Sequence, residues 1–315
     1  MLGIVISMAV SSPMAAVSTE SQTNVVHPRT EPSSDIDAGV NEAPDENNRP
    51  RNSETASPAG AGGSVSAFTV SQAMERTPAG WSVSLGASGS TGDFGSAGNT
   101  TLWSVPLGVR YTRAGLRLSA SLPYMRIRSD GVLFTGIDGS PLVVATSFAQ
   151  QRTVRAGLGD LTLGASYLLL TKQTLGVDVD LTGRVKLPTA SASSKLSTGK
   201  ADFAGGAELS RVMGRVTPFA SVTYRIFGDK APWHIHNGFS ASGGASITMT
   251  AKTTLIVSYD YAEAATSVVA NSHELFLGVS SPLPRSAFRV TGFGTIGLSR
   301  GAPALSSGVS ATMGF

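Results

Sequence analysis

The sequence predicts an all-β fold: a transmembrane antiparallel β-barrel of about twelve strands, preceded by a disordered N-terminal segment. Three observations carry this reading. After Pro78 apolar residues recur with a period of two, the period of a strand rather than of a helix. Tight connections alternate with long polar ones. Composition pairs 41% hydrophobic residues and 36 glycines with only 14% charged residues, well below the roughly 25% usual in soluble domains. No stretch approaches the ~20 apolar residues a membrane helix needs. A wall with one face in lipid and the other in water has this balance. The 315 residues include no cysteine, which excludes a disulfide scaffold and thiolate metal sites.

Residues 1–18, "MLGIVISMAVSSPMAAVS", have the apolar core and small residues of a secretory signal peptide, with cleavage expected after Ala16 or Ser18. The usual Lys or Arg near Met1 is missing, so either the start lies further upstream or the signal is atypical; both point to export. Residues 19–78 are rich in Pro, Asn, Ser and acids and poor in large apolar side chains. They cannot bury enough surface to offset their ordering entropy, and are expected to form a disordered periplasmic tail or linker. Folding on a partner or insertion into the pore is the functional alternative for this tail. It carries nine acidic and four basic residues, which leaves about +8 of net charge on the expected barrel domain, residues 79–315. A basic wall can favour anions or anchor on lipopolysaccharide; solvated Lys and Arg at strand ends are the plainer reading.

Twelve alternating segments follow, at about 80–92, 100–113, 115–128, 157–170, 175–190, 200–213, 215–228, 238–250, 252–265, 271–283, 286–299 and 303–315. Each exceeds the ~9–11 residues a tilted strand needs to span a bilayer. The clearest is "LGVDVDLTGRVKLP", in which Leu175, Val177, Val179, Leu181, Val185 and Leu187 share one face. Asp178, Asp180, Thr182, Arg184 and Lys186 share the other, which a soluble sheet core would not bury. Connections after the second, fourth, sixth, eighth and tenth segments are tight: "RAG", "TKQT", "MGR", "TAK" and "PLPRS". Most others are longer, notably 129–156, 190–199 and 229–237, although "SRGAP" before the last segment is short. Short periplasmic turns and long outer loops are the barrel pattern, and an even count brings both chain ends to the periplasm. The stretch 131–156 has room for one extra hairpin.

Aromatic residues on the apolar face, among them Trp81, Trp103, Tyr111, Tyr124, Tyr167, Tyr224, Tyr259, Tyr261 and Phe315, are placed to form interfacial girdles. The final segment, "ALSSGVSATMGF", puts Leu305, Val309, Ala311, Met313 and Phe315 on that face. A C-terminal strand closed by an aromatic residue is also what the outer-membrane barrel assembly machinery recognises, so Phe315 is expected to serve as a membrane-assembly signal.

The inward faces carry ionisable groups of both signs: Arg110, Arg117, Asp160, Asp178, Asp180, Arg184, Lys186, Asp202, Glu208, Arg225, Asp260, Glu274 and Arg289. Buried charges need partners or water, so a pore-lining role in a wet lumen and salt bridges that rigidify the barrel are both open. Three motifs, "GLGDLTLGASYLLL", "RVKLPTA" and "LSTGKADFAGGAEL", stand at the outer ends of consecutive segments and are expected to gather Asp160, Lys186, Thr198 and Asp202 at one rim. There the charges would shape the mouth and hold the 129–156 loop by weak, water-exposed ion pairs of ~1 kcal/mol or less, sensitive to salt.

These motifs resemble the outer-membrane transporters named for the meta-pathway of phenol degradation, whose members show GLGD, then K-x-PTG, then G-T-G or S-T-G before an acidic residue. The resemblance covers roughly residues 80–315, with Ala190 standing where the family has Gly. It implies a barrel in the bacterial outer membrane for passive uptake or efflux of small solutes, with hydrophobic or aromatic compounds as the implied class. Expected partners are outer-membrane lipid, lipopolysaccharide, the assembly machinery and a small-molecule solute.

Other readings are a structural or adhesin-like barrel without transport, an autotransporter translocator, and an outer-membrane lipid hydrolase. The last needs Ser and His side by side with an orienting group; His234, His236 and His273 with Ser240 supply no third member. The lone H-x-H lacks further metal ligands. No cofactor, catalytic residue or nucleic-acid partner is expected, since no phosphate-cradling loop or basic nucleic-acid motif is present.

Overall fold

In a computed structural model the described residues are 79–95, 98–139, 141–145, 153–170, 176–228 and 231–315. The expected signal peptide and tail, residues 1–78, lie outside them. The strands are β1 (Gly80–Gly92), β2 (Thr100–Arg113), β3 (Leu116–Ser129), β4 (Val132–Thr135), β5 (Pro141–Ala145), β6 (Thr153–Leu158), β7 (Leu161–Leu170), β8 (Asp178–Leu187), β9 (Asp202–Ser210), β10 (Val216–Ile226), β11 (Gly238–Thr248), β12 (Thr254–Ala262), β13 (Ser272–Pro282), β14 (Phe288–Gly297) and β15 (Leu305–Gly314). β6 and β7 are two halves of one wall strand, because both pair with β3. Every wall strand runs antiparallel to its neighbours, and β1 pairs with both β2 and β15, so twelve wall strands close into a barrel.

Period-two alternation becomes an inside and an outside. Along β1, Ser82, Ser84, Ser88 and Ser90 turn inward and are buried, while Trp81 and Leu85 are exposed on the outer face. β15 repeats this with Ser306, Ser310 and Thr312 inside and Leu305 and Val309 outside. Aromatic residues cluster at both rims of the apolar belt. Trp81 and Tyr111 meet with ring centroids 4.9 Å apart at the turn end, and Tyr224 and Phe239 at 4.7 Å at the loop end. Phe315, 71% exposed, joins the turn-end rim, and its backbone exchanges hydrogen bonds with Trp81 (2.9 and 3.0 Å) that complete the β1–β15 seam.

The tight β2–β3 connection shows how local chemistry sets the register. Its two central residues, Ala114 (φ 45) and Gly115 (φ 84), are both left-handed, as the hairpin turn that matches strand twist requires.

The β6–β7 wall strand departs from the expected segment. It begins at Thr153 rather than Gly157, and it is interrupted at 159–160. Tyr124 pairs with Leu158 but Ser121 with Thr162, so one extra residue sits on this strand, a β-bulge. As a result Gly159 and Asp160, though adjacent, are both buried.

The stretch 131–145 does hold an extra hairpin, but it adds nothing to the wall. β4 and β5 pair only with each other as a separate two-stranded sheet.

Candidate functional site

The site is built at the loop end of the lumen, where the β4–β5 hairpin lies inside the barrel mouth. A strand buried on both sides must be apolar on both faces, and Val132, Leu133 and Phe134 of β4 and Leu142, Val143 and Val144 of β5 meet this, with Thr135 the polar exception. Leu133 and Val143 pack with Phe94, Leu102, Met125, Ile127 and Leu196, which come from β2, β3 and neighbouring loops. Phe134, Leu142 and Val144 pack on the other side with Ile137, Ala204, Phe227, Ile235 and Ala265. Burying the six large apolar side chains of residues 133–144 contributes of order 10 kcal/mol. Ordering about a dozen residues costs a similar amount, so polar anchors decide whether the hairpin stays seated.

The anchors are specific. Thr135 donates from its N–H (2.8 Å) and hydroxyl (2.9 Å) to the carbonyl of Leu196. The Thr266 hydroxyl donates to the carbonyl of Val143 at 2.7 Å. Lys186 Nζ donates to the carbonyl of Thr135 at 3.2 Å and lies 3.1 Å from Asp160 Oδ2 and 2.8 Å from Asp202 Oδ2. Asp160 Oδ1 accepts the N–H of Ala190 (3.0 Å), its Oδ2 accepts the hydroxyl of Ser197, and Asp202 Oδ1 accepts the N–H of Gly228 (3.0 Å). One lysine thus ties β8 to the β6–β7 bulge, to β9 and to the hairpin. The adjacent carboxylates hold the 188–201 connection and the end of β10.

Asp160, Lys186 and Asp202 therefore do meet at the loop end, but their environment differs from the one expected. Their side chains are 2%, 1% and 0% exposed, because the hairpin and the 188–201 connection cover them. They form a buried clasp, not a water-bathed rim, and the weak salt-sensitive latch is corrected accordingly. Thr198 is buried nearby, with its hydroxyl accepting from the N–H of Lys200; Ser197 is the hydroxyl that reaches Asp160.

The remaining ionisable candidates sit on the inward face of their strands. Arg117 donates to Asp180 (2.6 Å) and through Nε to Ser166 (2.8 Å), bridging β3, β7 and β8. Arg225 donates to the carbonyls of Phe239 (3.3 Å) and Glu263 (2.8 Å) and stacks over Phe227 at 5.5 Å, supporting the hairpin's apolar cluster. Asp260 accepts from Ser258 (3.0 Å) and Glu274 from Ser272 (2.9 Å); the two carboxylates face each other across β12 and β13. Arg289, near the turn end, donates to the carbonyl of Lys252 (3.1 Å). Asp178, Arg184, Glu208 and Arg110 share this inward face, Glu208 and Arg110 being buried. Ser240 is buried in the lumen while His234 and His236 are exposed in the loop before β11. His273 bonds Tyr259 (2.5 Å) on the outer face. Among the described residues no group of three or more His, Cys, Asp or Glu is placed to hold a metal.

A closed wall with an apolar belt, aromatic rims and a hydroxyl-rich interior defines a β-barrel of the bacterial outer membrane. The fold matches that of an outer membrane channel from Pseudomonas putida F1, with a TM-score of 0.57 over 76% of this chain and 96% of that one at 14% identity. The translocator domain of the autotransporter NalP from Neisseria meningitidis (TM-score 0.48, 11% identity, 79% and 93% covered) and a Pseudomonas aeruginosa FadL homologue (0.42, 10%, 83% and 98%) are also similar. No family model and no curated protein matches the sequence.

Proposed function

We propose that the protein is a passive outer-membrane conduit for small solutes, with the β4–β5 hairpin as the element that closes its outer mouth. The observation that carries this is the hairpin itself: an apolar two-stranded sheet, pairing with no wall strand, seated inside the lumen and held by three anchors. A barrel serving only as scaffold needs no such element. The apolar faces of the seat, rich in Phe, Leu, Ile and Met, suit hydrophobic or aromatic solutes, the class implied by the resemblance to the phenol meta-pathway transporters. Replacing residues 133–144 by a short Gly-Ser linker tests the reading in planar bilayers. Steady conductance well above wild type is expected. Silence of both proteins with intact barrels rejects a conduit.

A further inference from the structure

The turn end of the barrel, opposite the hairpin, exposes charge of one sign. Five cations stand exposed on its tight connections: Arg113 at the end of β2, Arg211 and Arg215 between β9 and β10, Lys252 between β11 and β12, and Arg285 between β13 and β14. Among the described residues no ion pair or side-chain hydrogen bond engages any of the five. The acids of that end, Asp178, Asp180 and Glu208, lie on the inward faces of β8 and β9, with Asp180 bonded to Arg117 and Glu208 buried. The Phe315 terminus is turned to the β1 seam, where its oxygen accepts the N–H of Trp81 (3.0 Å). The loop end differs, because its exposed cations share their rim with Asp93, Asp130 and Glu263.

The same turns hold these cations at headgroup depth. The outer face of a barrel is apolar only where it meets hydrocarbon, and here that face runs to the turn tips. Leu209 and Met213 flank Arg211, Met249 precedes Lys252, and Leu283 and Phe288 bracket Arg285, all 44–58% exposed. Arg113 stands two residues past Tyr111 of the turn-end girdle on the same outward face, ~7 Å further along β2. Arg211 continues the outward face of β9 beyond Leu209, opposite Pro218, whose carbonyl accepts its N–H (3.1 Å). Arg211, Arg215, Lys252 and Arg285 occupy three consecutive turns of the wall, each two strands, roughly 10 Å, from the next.

We propose that the turn-end sector from β9 to β14 binds acidic phospholipid of the inner leaflet, its phosphates held by Arg211, Arg215, Lys252 and Arg285 and its acyl chains lying on the apolar side chains beside them. Guanidinium groups clamp phosphate with paired hydrogen bonds, and their apolar stems lie along the wall while the charge stays among headgroups. A zwitterionic headgroup brings an ammonium that cations without carboxylate partners repel, so the surplus charge selects headgroups of net negative charge. A diphosphate lipid such as cardiolipin gains most, since its two phosphates reach cations on neighbouring turns. An acidic protein arriving from water would meet the turn tips but not Arg211, which faces out from the wall, so the geometry favours lipid.

Native mass spectrometry of the detergent-purified full chain, titrated with cardiolipin and with phosphatidylethanolamine, tests this. Wild type should prefer cardiolipin at least fivefold, and the preference should shrink as ionic strength rises, because exposed charges are screened. Arg211→Gln/Arg215→Gln/Lys252→Gln/Arg285→Gln should lose most of it. Arg126→Gln/Arg128→Gln/Lys195→Gln/Lys200→Gln, which removes as much charge from the loop end, should keep it, with heat-modifiable gel migration unchanged in both variants. Equal preference in wild type and the turn-end variant overturns the proposal, as does an equal loss in the loop-end variant, which would reduce the effect to net charge. Wild type with no preference for cardiolipin also overturns it, whatever the variants do, and would leave the cations to an acidic protein.

Discussion

Replacing Lys186 by Met removes the one cation between two carboxylates whose side chains are at most 2% exposed. Met keeps the length and bulk of the side chain, so the change is electrostatic. Breaking a buried ion pair by removing one partner costs about 3–5 kcal/mol, since the remaining charge is left uncompensated. Here two carboxylates remain, and the bond to the Thr135 carbonyl goes with the lysine. The wall strands keep their continuous backbone ladders, including the β8–β9 register from Asp178 to Lys186. The cost therefore falls on the seating of the hairpin, at about 1.4 kcal/mol per tenfold, shifting it by 10²-fold or more. Single-channel recording should show Lys186→Met open for most of the time where wild type is mostly closed, with heat-modifiable migration unchanged. Adding Asp160→Asn and Asp202→Asn to Lys186→Met should recover part of the closed state, because no uncompensated charge is left. Raising salt from about 0.1 M to 1 M should leave the wild type closed, since screening acts on exposed charges and not on buried ones. An intact Lys186→Met barrel with wild-type conductance would refute the clasp, and opening of the wild type by salt would return it to a surface latch.

Two further outcomes follow from single contacts. Thr266→Val removes the hydroxyl that bonds the Val143 carbonyl; a loss of about 1 kcal/mol should raise open probability several-fold in the same recordings without lowering barrel yield. Phe315→Ser keeps the backbone bonds to Trp81 but removes the terminal ring, so barrel yield in the outer membrane of cells should fall several-fold while protein refolded in detergent migrates as wild type. Unchanged yield in cells would detach Phe315 from assembly.

The wall was legible because a barrel repeats one rule, lipid out and water in, along every strand; β1 and β2 match their expected segments end to end. Asp160, Lys186 and Asp202 were legible as neighbours because their motifs fall at the ends of consecutive strands. Their burial was not, since it depends on a hairpin distant in sequence from β8. The pattern "VLFTGIDGSPLVVA" has the two apolar runs and Gly turn of a hairpin, but nothing local says whether such a hairpin joins the wall or fills the lumen. Its lack of alternation, with Leu133–Phe134 and Leu142–Val143–Val144 apolar in succession, was the available sign, because a wall strand would place polar residues inward. The bulge at 159–160 was hidden for a related reason. "GLGD" marks a strand start in the sequence, whereas pairing of β3 with residues on both sides of it decides that the strand continues.

The most direct measurement locks the hairpin reversibly. Thr135 and Ser197 form a parallel β-bridge between the hairpin and the 188–201 connection, and the chain has no native cysteine, so Thr135→Cys/Ser197→Cys places one disulfide across the seat at a spacing such bonds accept. Bilayer conductance of this protein should be near zero when oxidised and should appear on adding reductant to the side of the long loops. Equal steady conductance before and after reduction would contradict closure by the hairpin.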